Sequence, residues 1–480
     1  MLTMEPGRRL DRALAVGIWL SVALLLTMFY PGAMSIDSYT QLLQARSGYF
    51  GDWHPPFMAW LWRRADAVVA GPALMLVAQI GLFLIALMVF ARAALDCGGR
   101  GRKLFVLCTL WVPPISGIIG VVWKDVWMSC LLLLGCGFAL SIRHGRDART
   151  RYLHFLASAG ALLGALLFRH NAVFAALPVL VYSAWELRGT DAVLRRGGVA
   201  LGAGVVAITV LLGVTTWVNS ALTTQREYPL QSLLLFDIAG ISVLTARADL
   251  FDGSASRLPE VMRGRRSVSI EALRASYYPS TWTPLVFVSG SPLAVTASET
   301  EVEELASLWK KAVIGAPRAY VAHRESVFRE LIGAHGGPLF APVYFGIPTS
   351  SPDYAVVSKT FEIEPGEAGA VQRLLRDGFA FSATLVIYRP WFWLGLNAVL
   401  IGVAAVVSSH RAALVAVGMS GLLYELAFFF IAPSADFRYS HWLVLSTWAL
   451  LAALVAETLR KPTRKQVSRA VQNTQSLDTV

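Results

Sequence analysis

The chain has 480 residues, of which 55% are hydrophobic and only 15% are charged. Soluble domains carry about 25% charged residues, so this composition excludes an ordinary soluble protein. The net charge is +11, but the arginines and lysines stand in short clusters between apolar runs and form no aromatic-rich basic patch. The charge therefore indicates membrane topology and does not indicate nucleic-acid binding.

Ten apolar runs predict an all-α polytopic membrane protein with about ten transmembrane helices. The arginine and lysine bias of the connecting segments places both termini of this multi-pass chain in the cytoplasm and the first outer loop on the opposite side of the membrane. The predicted spans are 13–30, 72–91, 104–122, 126–142, 153–168, 172–187, 197–218, 385–407, 412–432 and 441–457.

A polar segment between spans seven and eight divides the chain. It is a mixed extracytoplasmic segment of helix-like and loop-like pieces, and it contains none of the four cysteines, so it cannot rely on disulfides. The predicted domains are an N-terminal transmembrane module (1–218) with the first outer loop at 31–71, an extracytoplasmic domain (219–378), C-terminal transmembrane helices (379–459) and a disordered cytoplasmic tail (460–480).

The first outer loop holds the leading candidate for catalysis. Asp37 follows the first span, and aromatic neighbours would partly desolvate its carboxylate, which raises the pKa toward that of a general base. The alternative is that Asp37 caps a helix starting at Ser38. Trp53 precedes the rigid turn His54-Pro55-Pro56, and its ring is suited to a sugar or a lipid headgroup, or equally to an interfacial aromatic belt.

Three further outer loops each present a short charged motif next to a predicted span. Cations at the outer ends of helices are suited to hold the phosphate or diphosphate of a lipid carrier and to stabilise its charge as a leaving group. The competing interpretation is an internal salt-bridge network, Lys124 with Asp37 or Arg438 with Asp436. The motifs are Lys124-Asp125, Arg169-His170-Asn171 and Asp436-Phe437-Arg438-Tyr439.

Two features of the 219–378 segment also carry predictions. The apolar run 230–245 is interrupted by Asp237, which predicts a buried or interfacial helix and not an eleventh span. Tyr320, His323 and Arg324 lie on one helical stretch, where they either face the site or pack within the domain.

The first-loop pattern resembles that of the C-type (GT-C) superfamily of polyprenyl-phosphate-sugar-dependent membrane glycosyltransferases. These families usually have Asp-Glu where this chain has Asp37-Ser38, so the second carboxylate is absent. The three later motifs look like those of bacterial relatives within the superfamily. The residues that carry the first-loop resemblance are Asp37, Tyr39, Gly48, Pro55, Pro56 and Trp60.

The resemblance implies a protein of the bacterial inner membrane that performs an inverting transfer of a hexosyl or pentosyl sugar on the extracytoplasmic face. The donor would be a polyprenyl-phosphate sugar, and the acceptor would be an envelope glycan, lipid or protein. Asp37 would be the general base. No cofactor is implied, and the single carboxylate favours a reaction without a divalent metal. By the same resemblance the donor phosphate would be bound by Lys124, Asp125, Arg169, Asn171, Arg438 and Tyr439, and the sugar would be lined by Tyr39, Trp53 and His54.

The alternatives are a transporter or flippase, or a polymerase or ligase, of lipid-linked saccharides. A transporter is expected to have inverted repeats or helices broken near the middle of the membrane. Here the interiors of the spans are nearly free of charge apart from Glu425, and the charged motifs collect at one side. This pattern favours one-sided chemistry over alternating access.

Overall fold

The computed structural model describes residues 6–95, 97–187, 193–247, 268–361 and 368–459, which form helices, turns and isolated β-bridges. The predicted all-α class is confirmed for these residues, and the tail predicted to be disordered lies outside them. The α-helices are α1 (Pro6–Phe29), α2 (Ile36–Ser47), α3 (Phe57–Asp66), α4 (Ala73–Ala94), α5 (Gly99–Thr109), α6 (Pro113–Ser116), α7 (Lys124–Ser141), α8 (Ala148–Phe168), α9 (Val173–Leu187), α10 (Val193–Leu222), α11 (Leu230–Thr245), α12 (Ile270–Ser276), α13 (Thr283–Val286), α14 (Glu299–Gly315), α15 (Pro317–Leu331), α16 (Pro352–Phe361), α17 (Ala370–Ser382), α18 (Pro390–Val407), α19 (Arg411–Ile431) and α20 (His441–Thr458).

Within the described residues, eight helices are long and apolar enough to cross a membrane: α1, α4, α7, α8, α10, α18, α19 and α20. The prediction of one continuous helix over 104–122 is wrong. There α5 ends at Thr109, because Pro113 and Pro114 lack backbone donors and force Val112 into an extended conformation. The run predicted at 172–187 does form a helix, but α9 has 15 residues, fewer than the roughly 20 needed to span a bilayer.

Both short segments nevertheless run between the two ends of the helix bundle. Lys103, at the start of α5, pairs with Asp11 near the beginning of α1 at 2.7 Å, whereas the Val122 amide donates to the Ala33 carbonyl beyond the end of α1. The chain from 103 to 122 therefore follows α1 over its length. Likewise, Arg151 at the start of α8 contacts the Glu186 carbonyl at the end of α9.

The non-helical segment after α6, residues 117–123, is hydrogen-bonded to a polar side chain inside the bundle. Buried Gln79 of α4 donates its amide to the carbonyls of Ile119 and Val121. Backbone groups outside a helix need such partners at this depth, because lipid and apolar side chains offer none. Gly120 packs directly against the Phe29 ring, where a Cβ atom would clash. The segment can therefore lie close to α1 without being helical.

Helices α11 to α17 cap one end of the bundle, which we call the site end because it carries the charged outer motifs. The buried α11, which is too short to be a candidate span, packs against α14 and α15. Three backbone hydrogen bonds attach the cap to the loop between α19 and α20. They run from Trp282 to Pro433 (3.2 Å), from Ala435 to Ser280 (2.8 Å) and from Phe437 to Phe340 (3.2 Å).

Candidate active site

Asp37 lies in the first turn of α2, where a capping box fixes the helix start. Ser35 is the N-cap and exchanges hydrogen bonds with Ser38, so the alternative in which Asp37 caps a helix beginning at Ser38 is wrong. The Ser38 hydroxyl also donates to the Val122 carbonyl at 2.9 Å and is fully buried. This bond ties α2 to the segment before α7 and leaves the Asp37 carboxylate free to meet the other loops.

Two loops contact the Asp37 carboxylate. The Arg438 Nη2 atom lies 2.8 Å from Oδ2, and the His54 Nε2 atom lies 3.6 Å from Oδ1. Burial raises the pKa of Asp37, but Arg438, His54 and Lys124 outweigh burial and hold that pKa well below its usual range. The expectation that desolvation leaves Asp37 with a raised pKa is therefore wrong for this arrangement.

His54 connects Asp37 to Lys124. Its Nδ1 atom contacts the Lys124 ammonium, while its other ring nitrogen faces the carboxylate. Burial and the Lys124 cation lower the pKa of His54 to about 4, so the imidazole is neutral at physiological pH. Lys124 thus meets Asp37 through a neutral histidine, and the direct Lys124 to Asp37 pair of the salt-bridge alternative is replaced by this relay.

Arg438 joins carboxylates from three loops. Besides Asp37, its guanidinium lies 2.8 Å from Asp436 and 4.0 Å from Asp125. The guanidinium also sits 4.9 Å from the centre of the Trp123 ring, a cation–π contact that fixes its plane. Arg438 is therefore held by charge on one side and by an aromatic face on the other.

Arg169 lies in the loop between α8 and α9 and binds it to the neighbouring loops. It pairs with Asp125, donates from Nε to Asn171 at 3.2 Å, and lies over the Tyr439 ring at 4.6 Å. Asn171 in turn lies 3.5 Å from the Tyr424 hydroxyl of α19. The structure thus brings the charged motifs of all four outer loops into one group. We call this group the site cluster: Asp37, His54, Lys124, Asp125, Arg169, Asp436 and Arg438.

Exposure distinguishes the carboxylates of the site cluster. The Asp37 side chain is 28% exposed, whereas Asp125 is fully buried and Asp436 is 12% exposed. Burial is also the largest influence on Asp436, and it raises the pKa of that carboxyl. A molecule arriving at the site end can therefore reach Asp37 directly, while Asp125 serves to orient the two arginines.

The residues predicted to line a sugar lie in two settings. His54 belongs to the site cluster. The Tyr39 ring packs on Phe361 of the cap at 5.1 Å, and the Trp53 ring stacks on Trp282 of the cap at 5.8 Å. Both aromatic side chains therefore join the first outer loop to the cap, close to Asp37 in the chain.

Two aromatic residues of the site were missed by the sequence reasoning. Trp123, under Arg438, directly precedes Lys124, so its position at a span end could have revealed it. Tyr344 packs on Trp123 at 5.2 Å between ring centres, and burial raises the pKa of its hydroxyl. It comes from the loop 336–351, which carries no charged side chain, so no pattern marks it.

The position of the missing second carboxylate is accounted for by the fold. Ser38 stands there and uses its hydroxyl to bind the Val122 carbonyl. Among the residues that the structure describes, no group of three or more histidine, cysteine, aspartate or glutamate side chains is placed to hold a metal ion. The three aspartates of the site cluster face guanidinium groups instead.

No family model matches the chain, and no curated protein matches it. Among solved structures, the chain is similar to the crystal structure of ArnT from Cupriavidus metallidurans in the apo state. The two are 17% identical, the match covers 92% of this chain and 77% of that one, and the TM-score is 0.34.

Proposed function

We propose that the chain is a membrane glycosyltransferase of the C-type kind that moves a sugar from a polyprenyl-phosphate donor to an acceptor in the bacterial envelope. The reaction takes place on the extracytoplasmic face of the inner membrane, at the site end of the bundle. The acceptor is a glycan, a lipid or a protein. The observation that supports this most is the convergence of four charged loops into one cluster that contains an accessible carboxylate, Asp37, at the end of the spanning helices.

The chemistry needs one base and a cradle of cations. The Asp37 carboxylate takes the proton from the acceptor hydroxyl or amine as that group attacks the anomeric carbon of the donor. The bond from the anomeric carbon to the phosphate oxygen breaks, and polyprenyl phosphate leaves with the electron pair. The configuration inverts because attack and departure occur on opposite faces of the sugar. Lys124, Arg169 and Arg438 stabilise the charge that builds on the phosphate.

The donor also prepares the base. With Arg438 bound to it, Asp37 has a low pKa and is a weak base. A donor phosphate attracts Arg438 and Lys124 to itself, which weakens their hold on Asp37 and raises the pKa of the carboxyl toward the working range. The base thus becomes effective only when the donor is in place, which limits unproductive proton transfer.

The remaining residues support this arrangement. Asp125, Asn171 and Tyr439 orient the two arginines, and Tyr39, Trp53 and His54 line the donor sugar. A lipid-phosphate donor already carries an activated sugar, so the proposed reaction uses no nucleotide and no other cofactor. The cations of the site cluster supply the charge stabilisation that a divalent metal gives elsewhere.

The proposal is tested by measuring sugar transfer by the purified full-length protein in lipid nanodiscs. Polyprenyl-phosphate sugars with a radiolabelled sugar are offered together with envelope glycans, lipids and proteins, and labelled product is measured. Asp37→Asn should abolish transfer because the amide cannot accept the proton. Asp52→Asn is the matched control on the same loop. The Asp52 carboxylate accepts a hydrogen bond from the Glu227 backbone amide, and the side-chain oxygen of asparagine can accept the same bond.

Full activity of the Asp37→Asn variant would remove Asp37 as the base. A wild-type protein that transfers no sugar but moves lipid-linked saccharides across vesicles would replace the proposal with transport. Product that contains many repeat units, or whole glycans, would instead identify the polymerase or ligase variant of the same donor chemistry.

A further inference from the structure

Helix α17 carries an apolar stripe that no described part of the protein covers. Val371 is 53% exposed, and Leu374 and Phe381 are each 74% exposed. With 3.6 residues per turn, positions 371, 374, 378 and 381 fall on one face of the helix. Two large side chains left this open are unusual on a surface that only water touches.

The rest of α17 divides into two other faces. Arg373 and Asp377 are exposed and lie beside the apolar stripe. The third face packs on the protein, where Phe379 is buried against Trp111 at 6.4 Å and Arg376 lies over the Phe345 ring at 5.3 Å. A helix with a protein face, an apolar face and a polar face is typical of the boundary between a membrane and water.

Two attachments fix α17 at the membrane boundary. Gln372 donates to the carbonyls of Met28 (3.2 Å) and Tyr30 (3.4 Å), and Arg376 donates to Met28 at 3.3 Å. Met28 lies in the last turn of the span α1, so these bonds hold α17 where that span ends at the site end. After α17, the turn Val386–Tyr388 leads directly into the span α18.

The apolar surface continues from α17 into α18. Leu385 and Val386 are 45% and 49% exposed, and Trp391 at the start of α18 is 45% exposed. Tryptophan at the end of a span is typical of the headgroup layer. The stripe is therefore continuous with surface that the candidate spans present to lipid.

We propose that α17 binds the phospholipid bilayer, with its apolar stripe inserted into the leaflet at the site end. Arg373 lies at the level of the lipid phosphates, and the stripe reaches about 5–10 Å below them. The position of α17 follows from its hydrogen bonds to the end of α1 and its short connection to α18, and it does not depend on the proposed reaction.

The depth of single positions tests the proposal in the full chain. Cys97 and Cys108 are replaced by serine, the buried Cys130 and Cys136 are left in place, and an environment-sensitive fluorophore is attached to Leu374→Cys. The protein is placed in nanodiscs of phosphatidylethanolamine and phosphatidylglycerol, with or without lipids that carry a nitroxide high on the acyl chain. Blue-shifted emission and nitroxide quenching are expected at this position.

Asp377→Cys, labelled in the same way, is the matched control on the polar face of α17. Quenching at position 374 should exceed quenching at 377 by at least about twofold, because only the stripe enters the acyl layer. Equal and water-like emission at both positions would overturn the proposal. So would blue-shifted emission at 374 that nitroxide lipids leave unquenched, since protein would then cover the stripe. Where Leu374→Cys fails to fold, Phe381→Cys decides by the same criteria.

Discussion

Two groups of aspartate, arginine and histidine lie at the site end, and they use the same side chains differently. One is the site cluster, centred on Asp37. The other, which we call the domain cluster, consists of Asp237, His323 and Arg324 inside the cap. All three side chains of the domain cluster are fully buried, whereas Asp37 is 28% exposed.

The domain cluster is enclosed by neutral partners. Asp237 accepts from the Trp309 indole at 2.7 Å and contacts His323 at 3.2 Å, and the other ring nitrogen of His323 lies 2.8 Å from the Tyr277 hydroxyl. Arg324 contacts Asp237 and donates to the Ala432 carbonyl at 2.8 Å. Ala432 follows α19, so this bond also fastens the loop that carries Asp436 and Arg438 to the cap.

The two clusters differ in access. The side chains of the domain cluster are fully buried, so a molecule arriving from solvent cannot reach them. The site cluster has the same kinds of charge but an open carboxylate, so an incoming anion can draw Arg438 and Lys124 away from Asp37. Access, and not the residue types, makes Asp37 the catalytic candidate.

The largest expected effect of a single change is the loss of activity in Asp37→Asn. Removing a general base costs about 10²–10⁴-fold in turnover. The thermal midpoint should fall less than in Asp237→Asn, because Asp37 is partly exposed and Arg438 keeps Asp436 as a counter-charge. If the midpoint fell as far as in Asp237→Asn, the loss of activity would be explained by loss of structure, and Asp37 would not be assigned as the base.

Asp237→Asn is expected to give the opposite pattern. It leaves Arg324 buried without a full counter-charge, which costs about 3–5 kcal/mol of stability. Turnover per folded molecule should remain near that of the wild type. Thermal unfolding in detergent and activity after heat treatment measure both quantities, and an unchanged midpoint would show that the domain cluster contributes little.

The sequence reasoning singled out the charged residues of the site cluster because charge at the end of an apolar span is conspicuous. Lys124, Arg169 and Arg438 each stand next to a span, and a helix end is the place where a charged side chain can escape lipid. Their gathering into one cluster with Asp37 follows once the spans are bundled with these ends on one side. The low pKa of Asp37 could not be predicted, since it depends on distances between four loops.

The same reasoning left two alternatives open in the cap, and it was wrong at the broken span. His323 and Arg324 were candidates for facing the site, but they turn inward to Asp237, so the packing alternative is correct for both. Partners such as Asp237 and Trp309 are 72 residues apart, and spacing along one helix carries no information about that distance. In the run 104–122, Pro113 and Pro114 were a readable signal that outweighs apolar composition.

Arg438→Lys and Arg324→Lys are expected to differ in the property that each lowers, turnover for the first and thermal stability for the second. Lysine keeps the charge but loses the planar fork, so it cannot hold two partners in fixed directions. Arg438→Lys should lower turnover about 10- to 100-fold, equivalent to ~1.4–2.8 kcal/mol, with little change in thermal midpoint. Arg324→Lys should lower the midpoint and leave turnover per folded molecule nearly intact. Equal losses of turnover in both variants would erase the distinction between the clusters.

The last prediction concerns the pH dependence of stability, on which the two clusters should act with the same sign. Burial and Lys124 lower the pKa of His54 to about 4, and burial is also the main cause that lowers the pKa of His323. An unfolded chain takes up these protons near pH 6.5, while the folded protein does not. Stability should therefore fall as the pH drops from about 6.5 toward 4, by at most about 1.4 kcal/mol per pH unit for each histidine.

The depressed pKa of Asp37 acts below this window, because its stabilising contribution is lost only as the pH falls through that low value. Thermal midpoints at pH 7, 6 and 5 measure the histidine effect, and either His54→Gln or His323→Gln should flatten the decline. Only His54→Gln should also reduce turnover, since His54 alone of the two contacts Asp37. A midpoint that rises on acidification would show that the folded protein binds these protons more tightly than the unfolded chain.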